Sequence, residues 1–216
     1  MKIKVCGLRN RADILSVAQN GADWVGFNFY PESSRYALPA LDPSFCATVG
    51  KLFPQVKKTG VFVNASEEEI EAAVALYRLD AVQFHGNESA AYCKSFFSQV
   101  MVIKAIQVKD DLQLSVMKQF EGCCDMLLLD TASDKWGGSG QKFNWDKLAD
   151  YSADLPFLLA GGISPEDVEQ ILQINHPKFA GVDINSRFEI QPGQKDFAAI
   201  AQFISQIRYA DINAAR

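Results

Sequence analysis

The sequence predicts one α/β domain over residues 1–216, a closed barrel of eight parallel strands each followed by a helical segment. Three observations predict it. Short apolar, β-prone runs alternate with helix-period segments from one end of the chain to the other, the pattern of βα units in a parallel sheet. Eight such runs fit in 216 residues, close to the lower length of about 200 at which barrels of this kind occur and too short for a second domain. The longest connections, 30–42 and 131–143, both leave the C-terminal end of a strand, whereas a return such as Asn20-Gly21-Ala22 is tight. Functional groups collect on the C-terminal face of a parallel barrel. An open eight-stranded sheet is the alternative architecture.

In chain order the strands are expected near residues 2–6, 23–29, 58–63, 80–84, 100–105, 125–130, 156–160 and 179–184. Ser66 with Glu69 forms a capping box ahead of Ile70, Ala73, Val74 and Tyr77, whose i, i+3, i+4, i+7 spacing makes an amphipathic helix. Ser164, Pro165 and Asp167 start another, which should turn Val168, Ile171 and Leu172 inward before His176-Pro177 stops it. The last helix presents Phe197, Ile200, Ala201 and Ile204 on one face. Cys123-Cys124, just ahead of a strand, read as packing residues.

Apolar residues make up 48% and charged residues 22%, a globular balance that argues against disorder or a fibrous repeat. A net charge of −5 argues against a nucleic-acid partner while leaving room for a local phosphate grip. Five cysteines, Cys6, Cys46, Cys93, Cys123 and Cys124, without a CxxC spacing or a histidine cluster, argue against structural zinc and against a disulfide framework. They fit a reducing cytoplasm. No run approaches the roughly 18 apolar residues that a membrane span needs, and the N-terminus enters a strand without an apolar leader. The expectation is a cytoplasmic protein with neither a membrane nor a nucleic acid as partner.

Polar groups stand where a barrel would use them. Cys6 ends the first strand and Asp130 the sixth; in one closed barrel both face a single pocket and form a base and acid pair. Alternation puts Lys2, Lys4 and Cys6 on one strand face. If that face looks inward, Lys4 lies about 6–7 Å below the thiol, where it either favours thiolate or pairs with an interior carboxylate. Asp183 is a third polar group at the same rim. Arg35, in the loop after the second strand, offers a planar fork for a carboxylate. His85 ends the fourth strand, as a ligand contact or a hydrogen-bonded structural residue. Gly137, Gly138 and Gly140 after the sixth strand, and Gly161-Gly162 after the seventh, let backbone N–H groups approach an anion, and the Ser164-Pro165 helix start adds a favourable dipole end.

Taken in order, these motifs resemble the phosphoribosylanthranilate isomerase family over nearly the whole chain. The resemblance runs through Lys4-Val5-Cys6-Gly7-Leu8, Gly26-Phe27-Asn28-Phe29, Ser34-Arg35-Tyr36, Gly60-Val61-Phe62-Val63-Asn64 and Gln83-Phe84-His85-Gly86. It continues through Leu129-Asp130-Thr131, the glycine-rich stretch from Gly137 to Trp145, Leu159-Ala160-Gly161-Gly162-Ile163, Gly181-Val182-Asp183, Glu189, Pro192-Gly193 and Lys195-Asp196. It implies a (β/α)8 enzyme that carries out an Amadori rearrangement of N-(5-phosphoribosyl)anthranilate in tryptophan biosynthesis, with no metal or organic cofactor. Cys6 would be the general base and Asp130 the general acid. Arg35 would hold the anthranilate carboxylate, Asp183 a sugar hydroxyl, and Gly140, Gly162 and Ser186 the phosphate; apart from the resemblance, Gly161 and His85 are read at the substrate from their places at strand ends, and Arg187 from its charge, which either adds a guanidinium to the phosphate or pairs with a surface carboxylate. The partner implied is a small phosphorylated substrate, and the chain would be a monomer or homodimer.

The family usually reads Ser-Ser-Gly-Val-Glu where this chain has Asn185-Ser186-Arg187-Phe188-Glu189, so Arg187 replaces a glycine; Ser139 replaces a threonine, and Asn28 adds a polar group. A ribulose-phosphate epimerase would need metal-binding histidines beyond His85 and His176. An indole-glycerol-phosphate synthase would need a catalytic lysine and glutamate set that has no evident place. A non-catalytic barrel that binds a phosphorylated ligand would have no use for the Cys6 and Asp130 pair.

Overall fold

Period-2 alternation sorts most strand side chains in the computed structural model, which describes residues 1–38, 40–109, 112–132 and 142–214. The strands are β1 (Lys2–Val5), β2 (Trp24–Asn28), β3 (Lys57–Phe62), β4 (Ala81–Phe84), β5 (Met101–Val108), β6 (Met126–Thr131), β7 (Phe157–Leu159) and β8 (Phe179–Ile184). They pair in sequence order as a closed barrel. Closure comes from parallel pairing of β1 with β8, Lys4 opposite Asp183. On β1, β6 and β8 the residues Ile3, Val5, Leu127, Leu129, Val182 and Ile184 point outward into the main hydrophobic core. The opposite parity fills the barrel with Trp24, Ala81, Ile103, Ala105, Met126, Leu128, Leu158 and Ala160. Asp130 shares the parity of Met126 and Leu128, so the apolar floor of β6 delivers a carboxylate to the rim.

The outer layer holds α1 (Arg11–Gln19), α2 (Pro43–Leu52), α3 (Glu67–Tyr77), α4 (Ala90–Phe96), α5 (Leu114–Lys118), α6 (Val168–Leu172) and α7 (Phe197–Ala214). The capping box of α3 is formed as the sequence predicts, with Ser66 and Glu69 exchanging side-chain and backbone bonds, and Ile70, Ala73 and Tyr77 are buried. On α7, Ile200 and Ile204 are buried together with Phe203 and Ile207.

Three details add to or depart from the sequence reading. Leu172 is 40% exposed rather than inward, because the chain enters α6 through a 3-10 turn over Pro165–Asp167. Its tighter winding shifts the buried face so that Ile171 alone takes the central position. The helical segment after β6 is wound as a 3-10 helix, Trp145–Asp150. A hairpin of β9 (Glu189–Gln191) and β10 (Gln194–Lys195) lies between β8 and α7, turning at Pro192-Gly193 with Gly193 at φ +80°.

Candidate active site

Cys6 follows β1 at the rim, its N–H bound to the carbonyl of Ile184 at 3.0 Å. Below it Lys4 is fully buried and its ammonium donates to Asp183 Oδ2 at 2.9 Å. Of the two places open to Lys4, it takes the interior ion pair while remaining close enough to act on the thiol. Burial alone would strip Lys4 of its proton, but the Asp183 carboxylate and the Cys6 sulfur outweigh it and hold the ammonium above its ordinary range. For Cys6 burial wins and pushes the thiol up, with Lys4 as the largest opposing influence. The thiol is therefore a reluctant acid and, once ionised, a strong base. Gly26 leaves the room: a Cβ there would lie 2.9 Å from Cys6 Sγ and 3.2 Å from Lys4 Nζ. Among the described residues Asp183 Oδ1 is buried without a hydrogen-bond partner.

Asp130 lies against Gly161, where a Cβ would meet its Oδ1 at 2.8 Å, and its Oδ2 is 3.1 Å from His85 Nε2. The Gln83 amide nitrogen is 2.9 Å from His85 Nδ1; donation there makes Nδ1 the acceptor and leaves the ring proton on Nε2, aimed at Asp130. The turn carrying His85 is pinned from outside the barrel. Lys104, buried on the outer face of β5, donates to the carbonyls of Phe84 at 3.3 Å and Gly86 at 2.7 Å and to Glu88 at 2.9 Å. Glu88 in turn accepts from the Gly86 and Asn64 N–H groups.

Arg35 is neither solvated nor free. Its Nε lies 3.0 Å from both oxygens of Glu189 and its Nη2 2.7 Å from Oε2, so one edge of the fork is occupied and the Nη1 edge is left. Lys195, fully buried, reaches Glu189 Oε1 at 2.8 Å and Asn185 Oδ1 at 2.7 Å. Burial would push the Glu189 carboxyl up, but bonds from Arg35 and the charge of Lys195 hold it below its ordinary value. The cluster fits because Gly7 takes φ +77° and leaves space where a Cβ would lie 2.7 Å from Asn185 and 2.9 Å from Arg35. Asn28 fixes the loop that carries Arg35, accepting from Tyr30 N–H at 2.9 Å and donating to Ser33 at 3.2 Å.

These groups line one pocket of about 730 Å³, open mouth included, with Cys6, Arg35, His85, Asp130, Gly161, Gly162, Asp183 and Ser186 in its wall. Gly161 and Gly162 take φ +84° and +66°, turning the chain after β7 so that backbone approaches the cavity closely. The helix start at Ser164 contributes less than its position suggests, because the Asp167 carboxylate already accepts from the Ser164 N–H at 2.7 Å. Gly140, with Gly137, Gly138 and Ser139, lies outside the described residues. Arg187 is exposed beside Ser186 in a 3-10 turn, Ser186–Phe188. The glycine it replaces is not missed, since among the described residues only Asn64 and Arg78 take positive φ without being glycine.

The sequence reading gave no role to Glu88, Lys104, Glu189 or Lys195. The available signal for Lys104 was a charge inside an apolar strand, Val102-Ile103-Lys104-Ala105-Ile106, which needs a buried partner. Glu189 and Lys195 flank a Pro-Gly turn and could have been paired as a hairpin.

A chain-wide likeness accompanies this geometry. The family model described as N-(5'phosphoribosyl)anthranilate (PRA) isomerase matches residues 3–206. An N-(5'-phosphoribosyl)anthranilate isomerase of Parabacteroides distasonis is 40% identical over 217 residues, covering 100% of this chain and 97% of the relative. A solved structure of monomers made from the dimeric isomerase of Thermotoga maritima superposes with a TM-score of 0.78 at 30% identity, covering 97% of this chain and 99% of that one. Another, a phosphoribosyl anthranilate isomerase in complex with reduced 1-(o-carboxyphenylamino)-1-deoxyribulose 5-phosphate, gives a TM-score of 0.75 at 30% identity, with the same coverage.

Proposed function

Because the chain belongs to the N-(5'-phosphoribosyl)anthranilate isomerase family and is an isomerase of tryptophan biosynthesis, we propose that Cys6 and Asp130 are the base and acid of its reaction. The observation that carries this reading is that the thiol and the carboxylate share one pocket with Arg35, Asp183 and the Gly161-Gly162 turn.

Asp130 protonates the furanose ring oxygen as the C1–O bond breaks, and the anthranilate nitrogen lone pair forms the C1=N bond of a protonated Schiff base. The Cys6 thiolate then takes the C2 proton. The C2–H electron pair becomes the C1=C2 double bond, and the C=N π pair returns to nitrogen. The resulting enolamine gains a proton at C1 and loses its O2 proton to give the ketone. Base catalysis of this kind contributes roughly 100-fold or more. Asp183, held by Lys4 through Oδ2, keeps Oδ1 for a sugar hydroxyl. The free edge of Arg35 takes the anthranilate carboxylate, His85 supports Asp130 beside the sugar, and Gly140, Gly161, Gly162, Ser186 and Arg187 serve the phosphate.

The residues named in this scheme all belong to one chain, and the assembly is a monomer or a homodimer. The five cysteines are free, which suits a cytoplasmic setting, and no described helix is long and apolar enough to cross a membrane. Mixing the purified chain with freshly generated phosphoribosylanthranilate and following loss of anthranilate-type fluorescence tests the scheme. Turnover that disappears in both Cys6→Ser and Asp130→Asn supports it, and turnover undiminished in either variant removes that residue from the chemistry.

A further inference from the structure

Arg35 enters the pocket from a loop, and a long side chain on a loop is a poor recognition element unless something holds it. The holder is Glu189, outside β8 and 154 positions away in sequence. Its carboxylate occupies the Nε/Nη2 edge of Arg35 and leaves Nη1 outside that contact, on an arginine that lines the cavity. Glu189 is itself fixed by Lys195, which spans to Asn185 at the exit of β8. Side-chain exposure is 12% for Arg35, 3% for Glu189 and 0% for Lys195, so all three are held away from solvent before any ligand arrives. Within this cluster one carboxylate is set against two basic side chains, so Glu189 does not fully neutralise Arg35 and leaves it suited to an anionic ligand group.

We propose that Glu189 is a positioning residue that sets selectivity for a carboxylate on the aromatic part of the substrate, with Lys195 as the strut that holds Glu189 in place. This rests on Arg35 as the carboxylate grip. Fixing the guanidinium in advance removes the ordering cost that a mobile arginine would meet on binding. The bidentate seat also fixes the plane in which the free edge meets a second carboxylate. If Glu189 served only to neutralise a buried charge, its loss would affect all ligands alike.

The test compares two ligands: reduced 1-(o-carboxyphenylamino)-1-deoxyribulose 5-phosphate, and its anilino counterpart without the carboxylate, each titrated calorimetrically into wild type, Arg35→Ala, Glu189→Gln and the double variant. Glu189→Gln should weaken the carboxylate-bearing ligand by about 10-fold, the order expected for loss of a charge-assisted contact, and leave the other within about 2-fold. It should add nothing on top of Arg35→Ala. Equal effects of Glu189→Gln on both ligands, or none on either, overturn the proposal while Arg35→Ala still separates them. If Arg35→Ala fails to separate them, the carboxylate reading of Arg35 falls, and the proposal with it. Should Glu189→Gln not fold, Glu189→Asp keeps the charge beside Lys195 but is one methylene short of the bidentate seat, and must show the same selectivity loss.

Discussion

The imidazole of His85 stands 3.1 Å from the carboxylate of Asp130, with its far nitrogen 2.9 Å from the Gln83 amide. A donor placed there gains strength as Asp130 gives up its proton, because a bond to a forming carboxylate is charge-assisted. Such an interaction belongs to the transition state more than to the bound substrate. His85→Ala should therefore lower kcat by about 10-fold with little change in KM. Steady-state kinetics decide it, since a raised KM at constant kcat would make His85 a binding residue instead.

Cys6→Ser should keep the fold and lose at least the ~100-fold that a general base supplies. A hydroxyl fits the space beside Gly26 but is far too poor a base. With the wild-type thiol pushed up by burial, thiolate is scarce at neutral pH and grows with pH. When C2 proton removal limits the rate, kcat should climb through the alkaline range, and a flat profile would count against the thiol as base.

Asp130→Asn preserves shape and can still meet His85, but it has no proton to give the ring oxygen. The loss should be about 100-fold or more and fall on kcat. A variant with normal kcat and weaker binding would make Asp130 a positioning group.

Arg187→Ala should raise KM several-fold at low salt with kcat little changed, because the phosphate keeps its charge throughout the reaction and a contact to it is uniform binding. At about 1 M salt the screening length falls to about 3 Å, and the difference should shrink. An unchanged KM at low salt removes Arg187 from the phosphate.

The buried thiols make stability depend on alkaline pH. Burial pushes Cys93 and Cys124 up to about 12 and Cys46 up to about 11, against about 8.5 in an unfolded chain. Above that value the unfolded state releases protons that the fold retains, so stability is full below about pH 8.5 and declines as pH rises toward about 12. The urea midpoint at about pH 10.5 should lie below that at pH 8, and the Cys93→Ala, Cys124→Ala double variant should flatten the decline.

Much of the fold was legible because each strand is a short apolar run between helix-period segments. Alternation of Ile3 and Val5 with Lys4 and Cys6 separates outside from inside on the first strand, whereas Met126-Leu127-Leu128-Leu129 is apolar on both faces and only Asp130 marks its inner side. The Ser66 and Glu69 capping box is equally local. The hidden parts depend on partners distant in sequence: nothing near Arg35 announces Glu189, and nothing near His85 announces Lys104. Leu172 was misplaced for a related reason, since helical spacing assumes 3.6 residues per turn and the Pro165–Asp167 turn does not supply them.

The Lys4 and Asp183 contact joins residues 179 positions apart, and those residues sit opposite each other where the first strand meets the last. During synthesis the lysine emerges 179 residues before its counter-ion. Until then the thiol two residues further on has neither its electrostatic partner nor a walled cavity. Competence should appear in a single step late in assembly, when the ring of strands shuts, so that recovery of turnover during refolding serves as a clock for barrel closure.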